Sequence, residues 1–194
     1  MKLFCKGIGV EHPDVTNASR AMKSKEAKLC ADAGVEFQEF VVGNDGIAFS
    51  NSLQGQAFNI SIVHIAAALA AELPYQGNNL SNETTNKLNT WDQVDSYVAK
   101  RTGGELAGLP NIPVSIMVPP PTSGTRDAMG ALFMKNGWKK LGLKGDAYKR
   151  LREDGAAIEV GENDSLIIEK LVSDSNMFGI FGYSFFDQNR DKVQ

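Results

Sequence analysis

Short apolar segments alternate with helix-length segments along the chain, which predicts an α/β fold with a largely parallel sheet. Two further observations agree. The 194 residues are 42% hydrophobic, enough for a buried core in one large domain or two small lobes. Glycine, proline and Asn-Asp-Gly signals also fall between the periodic segments, and no internal repeat or low-complexity tract interrupts them.

Taken in order, Ser24–Ala33 reads as a helix, with Ser24 as its N-cap and Gly34 as its stop. The segments Glu36–Val42 and Gly46–Ser50 read as strands separated by the turn residues Gly43-Asn44-Asp45-Gly46. Ile62–Leu73 reads as a buried helix ended by Pro74, and the Asn/Ser/Thr-rich stretch Tyr75–Asn89 as a loop. Trp91–Val98 is a short helix with Asp92 in its first turn, and Trp91 is expected in the core. Pro113–Val118 is a strand running into three prolines, followed by a helix over Gly124–Asn136 that offers Ala128, Leu132 and Phe133 for burial. Asp146–Glu153 reads as a helix, Ala156–Val160 as a strand, and Asn163–Val172 as a helix capped by Asn163. Met177–Tyr183 is an apolar strand whose glycines imply close packing on a helix, and Ser184–Asn189 opens the last helix.

Composition excludes several classes of function. Lys and Arg number 20 against 23 Asp and Glu, a net charge of −3, and no basic run forms a nucleic-acid footprint. The longest apolar stretch, Ile62–Ala71, carries His64 and is short of the roughly 20 residues that span a bilayer. The start Met1-Lys2-Leu3-Phe4-Cys5 runs directly into Lys6-Gly7 without the apolar core of an export signal. The expectation is a cytoplasmic protein, or a mature or internal piece of a longer one. Two cysteines, Cys5 and Cys30, are too few for a zinc site, and are either two buried thiols or one disulfide. No cofactor motif and no metal-ligand spacing occurs.

In open α/β sheets ligands bind beyond the carboxyl ends of strands. At such a place Pro119-Pro120-Pro121 leads into Ser123-Gly124-Thr125-Arg126-Asp127. Ser123 and Thr125 put two hydroxyls at a helix start, Gly124 allows close backbone approach, and Arg126 offers a planar fork for an oxyanion. Alone, Ser-Gly-Thr is as well read as an ordinary N-cap beside a surface arginine. A second hydroxyl–arginine pair, Ser19-Arg20, precedes the Ser24 helix and is otherwise a turn with a solvated arginine. Together they suggest an anion clamped between two lobes. Ser123 lacks a base for nucleophilic chemistry: only His12 and His64 exist, and His64 falls in the apolar helix, where a buried, satisfied ring is expected. Glu162-Asn163-Asp164 and Arg152-Glu153-Asp154 read as helix-end electrostatics rather than a carboxylate dyad.

Several ordered blocks together resemble a known family. They are Gly9–Arg20 (GVEHPDVTNASR) with Met22-Lys23, Gly43–Ala48 with Asn51-Ser52, and Thr90-Trp91. They continue with Pro119–Asp127, Arg152–Ala156, Gly161–Asp164, Gly179–Phe185 with Gln188-Asn189, and Asp191–Gln194. In these the chain resembles the phosphate-binding subunit of the high-affinity ABC phosphate importer, a two-lobed periplasmic binding protein of type II. The resemblance implies inorganic phosphate as ligand, a membrane permease as partner, a monomer in the periplasm or another extracytoplasmic space, and no enzymatic activity or cofactor. It implies that Ser123, Gly124, Thr125 and Arg126 grip the anion from one lobe, and Ser19 and Arg20 from the other. It divides the chain into part of a first lobe (1–50), a second lobe (51–178) and a return crossing (179–194). An extracytoplasmic relative also favours the Cys5–Cys30 disulfide.

The chain departs from the family at three places. Arg20 replaces an aspartate that some members use to accept the phosphate proton, and Pro119 and Pro121 replace an arginine and an acid. The proton acceptor separating phosphate from sulfate is therefore unassigned. Family members also extend beyond both ends, so the expectation is a chain truncated at both ends that binds phosphate weakly or not at all by itself. The competing readings are a binding protein for another tetrahedral oxyanion such as sulfate, and a phosphate-ester hydrolase on a related fold.

Overall fold

A mixed four-stranded sheet organises residues Gly46–Gln194. The computed structural model describes the chain apart from Ser19, residues 78–83 and Glu162. It contains two units, Met1–Asp45 and Gly46–Gln194, each around its own core.

In the larger unit the strands are β1 (Ile47–Asn51), β2 (Ile116–Val118), β3 (Ala157–Glu159) and β4 (Phe178–Gly182), in the order β1-β4-β2-β3. β4, β2 and β3 are parallel, as the alternation of strands and helices predicts, but β1 runs antiparallel to β4. The turn residues before Ile47 feed β1 in at the edge where β4 ends, and the Tyr183 amide donates to Gly46 O at 2.8 Å. Side chains alternate across the sheet. Ile116, Val118, Phe178 and Ile180 face the core containing α2 (Ile62–Leu69), α3 (Trp91–Thr102) and α5 (Lys135–Lys140). Met117 and Phe181 face Ile167, Ile168 and Leu171 of α6 (Asp164–Ser173). Gly179 is the close-packing glycine expected of β4: a Cβ there would lie 2.8 Å from Ile167 Cγ2.

Several predicted elements change length for identifiable reasons. α2 stops at Leu69, short of Leu73, because residues 70–72 turn extended and pair elsewhere: Ala71 N donates to Arg150 O, and Glu72 bridges Thr85. The same pairing removes the helix expected over Asp146–Glu153. Only a 3₁₀ turn, Ala147–Lys149, forms before Leu151 joins Ala70. α3 runs on to Thr102, where Gly103 takes the left-handed conformation that ends helices (φ 69°). The helix predicted over Gly124–Asn136 is α4 (Gly124–Met129), a π turn (Gly130–Met134) and α5 in one rod. The π turn shifts the register, so Met129, Met134 and Trp138 are buried while Leu132, expected inside, is exposed. Asn163 caps α6 as predicted, its side chain accepting from Leu166 N at 3.3 Å. α7 (Tyr183–Gln188) follows β4 directly. Within the predicted loop Tyr75–Asn89 the described residues are irregular apart from isolated bridges, and residues 78–83 lie outside the described set.

The smaller unit holds a 3₁₀ turn, Phe4–Lys6, and α1 (Ser24–Asp32). Lys23 rather than Ser24 occupies the N-cap, and its amide donates to Glu26 at 2.9 Å. Gly34 ends α1 at φ 70°, with Val35 N bonded to Cys30 O and Gly34 N to Ala31 O. Cys5 and Cys30 are joined by a disulfide and, with Val35, form this unit's buried cluster. Glu36–Val42, predicted as a strand, is irregular and unpaired among the described residues, with Phe40, Val41 and Val42 exposed. A β-prone sequence becomes a strand only against a neighbour's hydrogen-bonding edge.

Candidate functional site

The carboxyl ends of β2, β3 and β4 lie along one edge of the sheet and lead towards the first turns of α4, α6 and α7. β2 is buried at all three positions, and the prolines that follow carry no amide hydrogen, so the chain leaves the sheet at once. A turn closed by Ser123 N to Pro120 O (3.0 Å) delivers Ser123 to the N-cap of α4 in extended conformation. Its Oγ accepts from Thr125 N at 3.1 Å, and its carbonyl accepts from the amides of Arg126 and Asp127. Among the described residues this leaves the Gly124 amide to donate outward, with the half-buried Thr125 and the buried Ser123 hydroxyls beside it. A Cβ on Gly124 would meet nothing within 4 Å, so the tip faces open space, and the absence of a side chain there is not a packing requirement.

Arg126 is anchored behind this tip. Its Nη1 donates to Pro119 O at 2.6 Å and its Nη2 to Glu159 Oε1 at 3.1 Å. Glu159 ends β3 and is in register with Val118, the last residue of β2. Beside the pair is a hollow of about 460 Å³, lined by Arg126 and Glu159 with Lys149, Arg150, Arg152 and Glu153. Its basic residues have carboxylate partners of their own. Arg150 pairs with Glu72, Lys149 with Asp146, and buried Arg152 with Asp154. Arg152 also donates to Ala68 O and Leu88 O, and its hydrogen bond is the main cause holding the Asp154 carboxyl below its usual value.

Ser123, Gly124, Thr125 and Arg126 thus form one turn. Arg20 belongs to the smaller unit, where its guanidinium grips both oxygens of Glu26 at 2.8 Å and donates to Ala21 O. That grip, helped by the Lys23 amide, holds the Glu26 carboxyl down at about 2. Ser19 lies outside the described residues. Glu159 is the residue that sequence reasoning missed. Its pairing with Arg126 depends on the parallel register of β2 and β3, and the available signal was its position at the end of a predicted strand.

His64 is buried and satisfied, as expected. Its Nδ1 accepts from Ser61 N at 3.2 Å and lies 2.8 Å from Ser61 Oγ, while its Nε2 lies 3.3 Å from Asp95 Oδ1. Burial alone would raise the Asp95 carboxyl, but amides of Ala107, Leu109 and Gly108 and the His64 ring outweigh it and hold it below its usual value. No group of three or more His, Cys, Asp or Glu among the described residues could hold a metal ion.

Comparison with known proteins fits this architecture. The pattern of a PBP superfamily domain matches residues 1–194. The Phosphate-binding protein PstS of Staphylococcus epidermidis is 22% identical over 181 residues, covering 93% of this chain and 43% of that protein. Protein SphX of Synechocystis is 24% identical over 187 residues, covering 96% and 44%. Among solved structures, a possible phosphate binding protein from Planctomyces limnophilus matches with TM-score 0.54 at 21% identity over 91% of this chain and 49% of its own. PstS from Borrelia burgdorferi matches with TM-score 0.53 at 17% identity over 89% and 51%. At these identities the structural likeness is one of fold. The chain spans less than half the length of these two curated relatives.

Proposed function

The chain belongs to the PBP superfamily, and on that premise we propose that it carries the anion-holding turn of a phosphate-binding component of an ABC importer. The observation that carries this reading is the turn Ser123–Arg126, which gathers two hydroxyls, an outward amide and a guanidinium at a helix start beyond β2. An oxyanion there receives several hydrogen bonds and lies at the positive end of the helix dipole. Hydrogen bonds to a charged group contribute about 1.5–3 kcal/mol each, so three or four suffice for measurable affinity. Relatives named as phosphate-binding proteins support phosphate as the anion.

On this reading the protein works outside the cytoplasm and passes phosphate to a membrane permease. Residues 1–50 belong to a first lobe, 51–178 to a second and 179–194 to the return crossing, and Ser19 and Arg20 are anion ligands of the first lobe. The role is binding, not turnover: the hydrogen-bond partner of Ser123 Oγ is an amide, not a base. No helix among the described residues is long and apolar enough to cross a membrane.

Sulfate is the second reading, favoured by one observation: the Gly124 amide and the Arg126 guanidinium can only donate, which suits an oxyanion without a proton. Titration of the isotope-labelled 194-residue chain with phosphate and with sulfate, following amide resonances, tests both. The expected result is a saturable phosphate response confined to Gly124–Arg126 and their neighbours, at roughly millimolar concentration or below. A response to sulfate in preference to phosphate replaces the phosphate reading with the sulfate one, and no localised response to either removes both.

A further inference from the structure

The proposed anion-holding turn meets a competitor at the end of the neighbouring strand β3. We propose that Glu159 occupies Arg126 in the absence of ligand and must be displaced before an oxyanion can use that guanidinium, which sets a fixed threshold on anion capture. The inference rests on the phosphate reading above.

Three observations carry it. Arg126 reaches Glu159 through a single Nη2–Oε1 contact of 3.1 Å, while its Nη1 is fixed by Pro119 O at 2.6 Å. One end of the guanidinium is therefore anchored to backbone, and the other rests on an exchangeable side chain. The two partners also differ in exposure: the Arg126 side chain is 17% exposed and that of Glu159 54%. On release, the carboxylate can swing into water while the guanidinium stays in place. Finally, a carboxylate and a phosphate present the same planar pair of oxygens to an arginine fork. The carboxylate at the end of β3 thus stands where an anion's oxygens would otherwise be received.

The displacement cost is the same for every anion that uses Arg126. It lowers affinity without changing the preference of one oxyanion over another. It also acts entirely through Arg126, so it vanishes when Arg126 is absent. Both consequences separate competition from the alternatives. A carboxylate that accepted the proton of hydrogen phosphate would alter the phosphate-to-sulfate ratio, and a carboxylate acting only by its field would repel the anion with or without Arg126.

The experiment is a double-mutant cycle on the 194-residue chain, read by the amide response of residues 124–126 to phosphate and to sulfate. In the unmodified chain a phosphate response establishes the parent reading, and its absence removes that reading and this one together. Given that response, Glu159→Ala is expected to tighten phosphate and sulfate by the same factor, roughly threefold to fivefold for a half-exposed ion pair. In the Arg126→Ala background the same substitution is expected to change neither affinity. Glu159→Gln, isosteric with the native side chain, serves in place of the alanine variant should that variant not fold. Unchanged affinities on removal of Glu159 overturn the inference while leaving the phosphate reading intact. So does an equal gain in the Arg126→Ala background, or a loss of phosphate relative to sulfate.

Discussion

The arginines at both candidate anion loops are paired with carboxylates: Arg20 with Glu26 and Arg126 with Glu159. Their positive charge was readable from the sequence, but these partners were not. Glu26 is six residues from Arg20 across a helix start, and Glu159 is 33 residues from Arg126 through a strand register. The His64–Asp95 pair shows the same limit. That a histidine inside an apolar helix is buried follows from its neighbours; that Asp95 satisfies it while receiving amides from Ala107, Gly108 and Leu109 depends on where α3 packs. Removing that carboxylate strands the amides of Ala107, Gly108 and Leu109, of which that of Leu109 is buried, together with the buried His64 ring, so Asp95→Ala is expected to cost about 2–3 kcal/mol in urea denaturation. Acid should act in the same direction. Asp95 titrates below its unfolded value near 3.8, so its contribution is present above that pH and is lost as pH falls through the folded value. Thermal midpoints should drop below pH 4, and Asp95→Asn should flatten that decline; an equally steep decline in the variant would place its origin elsewhere.

At the scale of elements, periodicity located most helices and strands, and it failed where an element's fate depends on a distant partner. Glu36–Val42 has strand composition without a described neighbour, and residues 70–73 exchange a helix for pairing with 150–152 and 84–86. The π turn is a subtler case. It adds a residue to one turn of the rod and redirects the apolar face from Leu132 to Met134 and Trp138. That redirection brings Gly137 against α2, where a Cβ would lie 2.3 Å from Ile62 O and 2.5 Å from Ala66 Cβ. Neither backbone nor a fully buried alanine can yield cheaply in a close-packed core. Gly137→Ala is expected to destabilise the larger unit by about 2–3 kcal/mol, as overpacking does. A urea midpoint matching the unmodified chain would show that α2 and α5 are not held this closely in solution.

At the scale of the whole molecule, the chain divides into two units of unequal means. Gly46–Gln194 has helices on both faces of a sheet and two apolar clusters, one centred on Trp91, Trp138 and Ile116 and the other on Met117, Phe181 and Leu171. Met1–Asp45 has a buried cluster of Cys5, Cys30 and Val35, with Phe4 and Met22 against it. A segment of this length rarely buries enough apolar surface to fold without a covalent or metal staple. The Cys5–Cys30 bond closes a loop with a sequence separation of 25 and, by chain entropy, contributes about 3 kcal/mol. Residue chemistry left these cysteines open between thiols and a bridge and the family resemblance favoured the bridge; the structure joins them within the buried cluster of the smaller unit. A dithiol reductant, which leaves two thiols and takes up the sulfur–sulfur bond as its own disulfide, should therefore unravel residues 1–45 selectively. Amide exchange before and after reduction is the measurement. Protection in α1 is expected to vanish while that in β2, β4 and α6 persists. The response of Gly124–Arg126 to phosphate should persist but weaken, because that turn hangs from β2 while the proposed ligands Ser19 and Arg20 belong to the reduced segment. Protection retained in α1 after complete reduction would mean that the local bonds around Gly34 and the Glu26 cap hold this unit without the bridge.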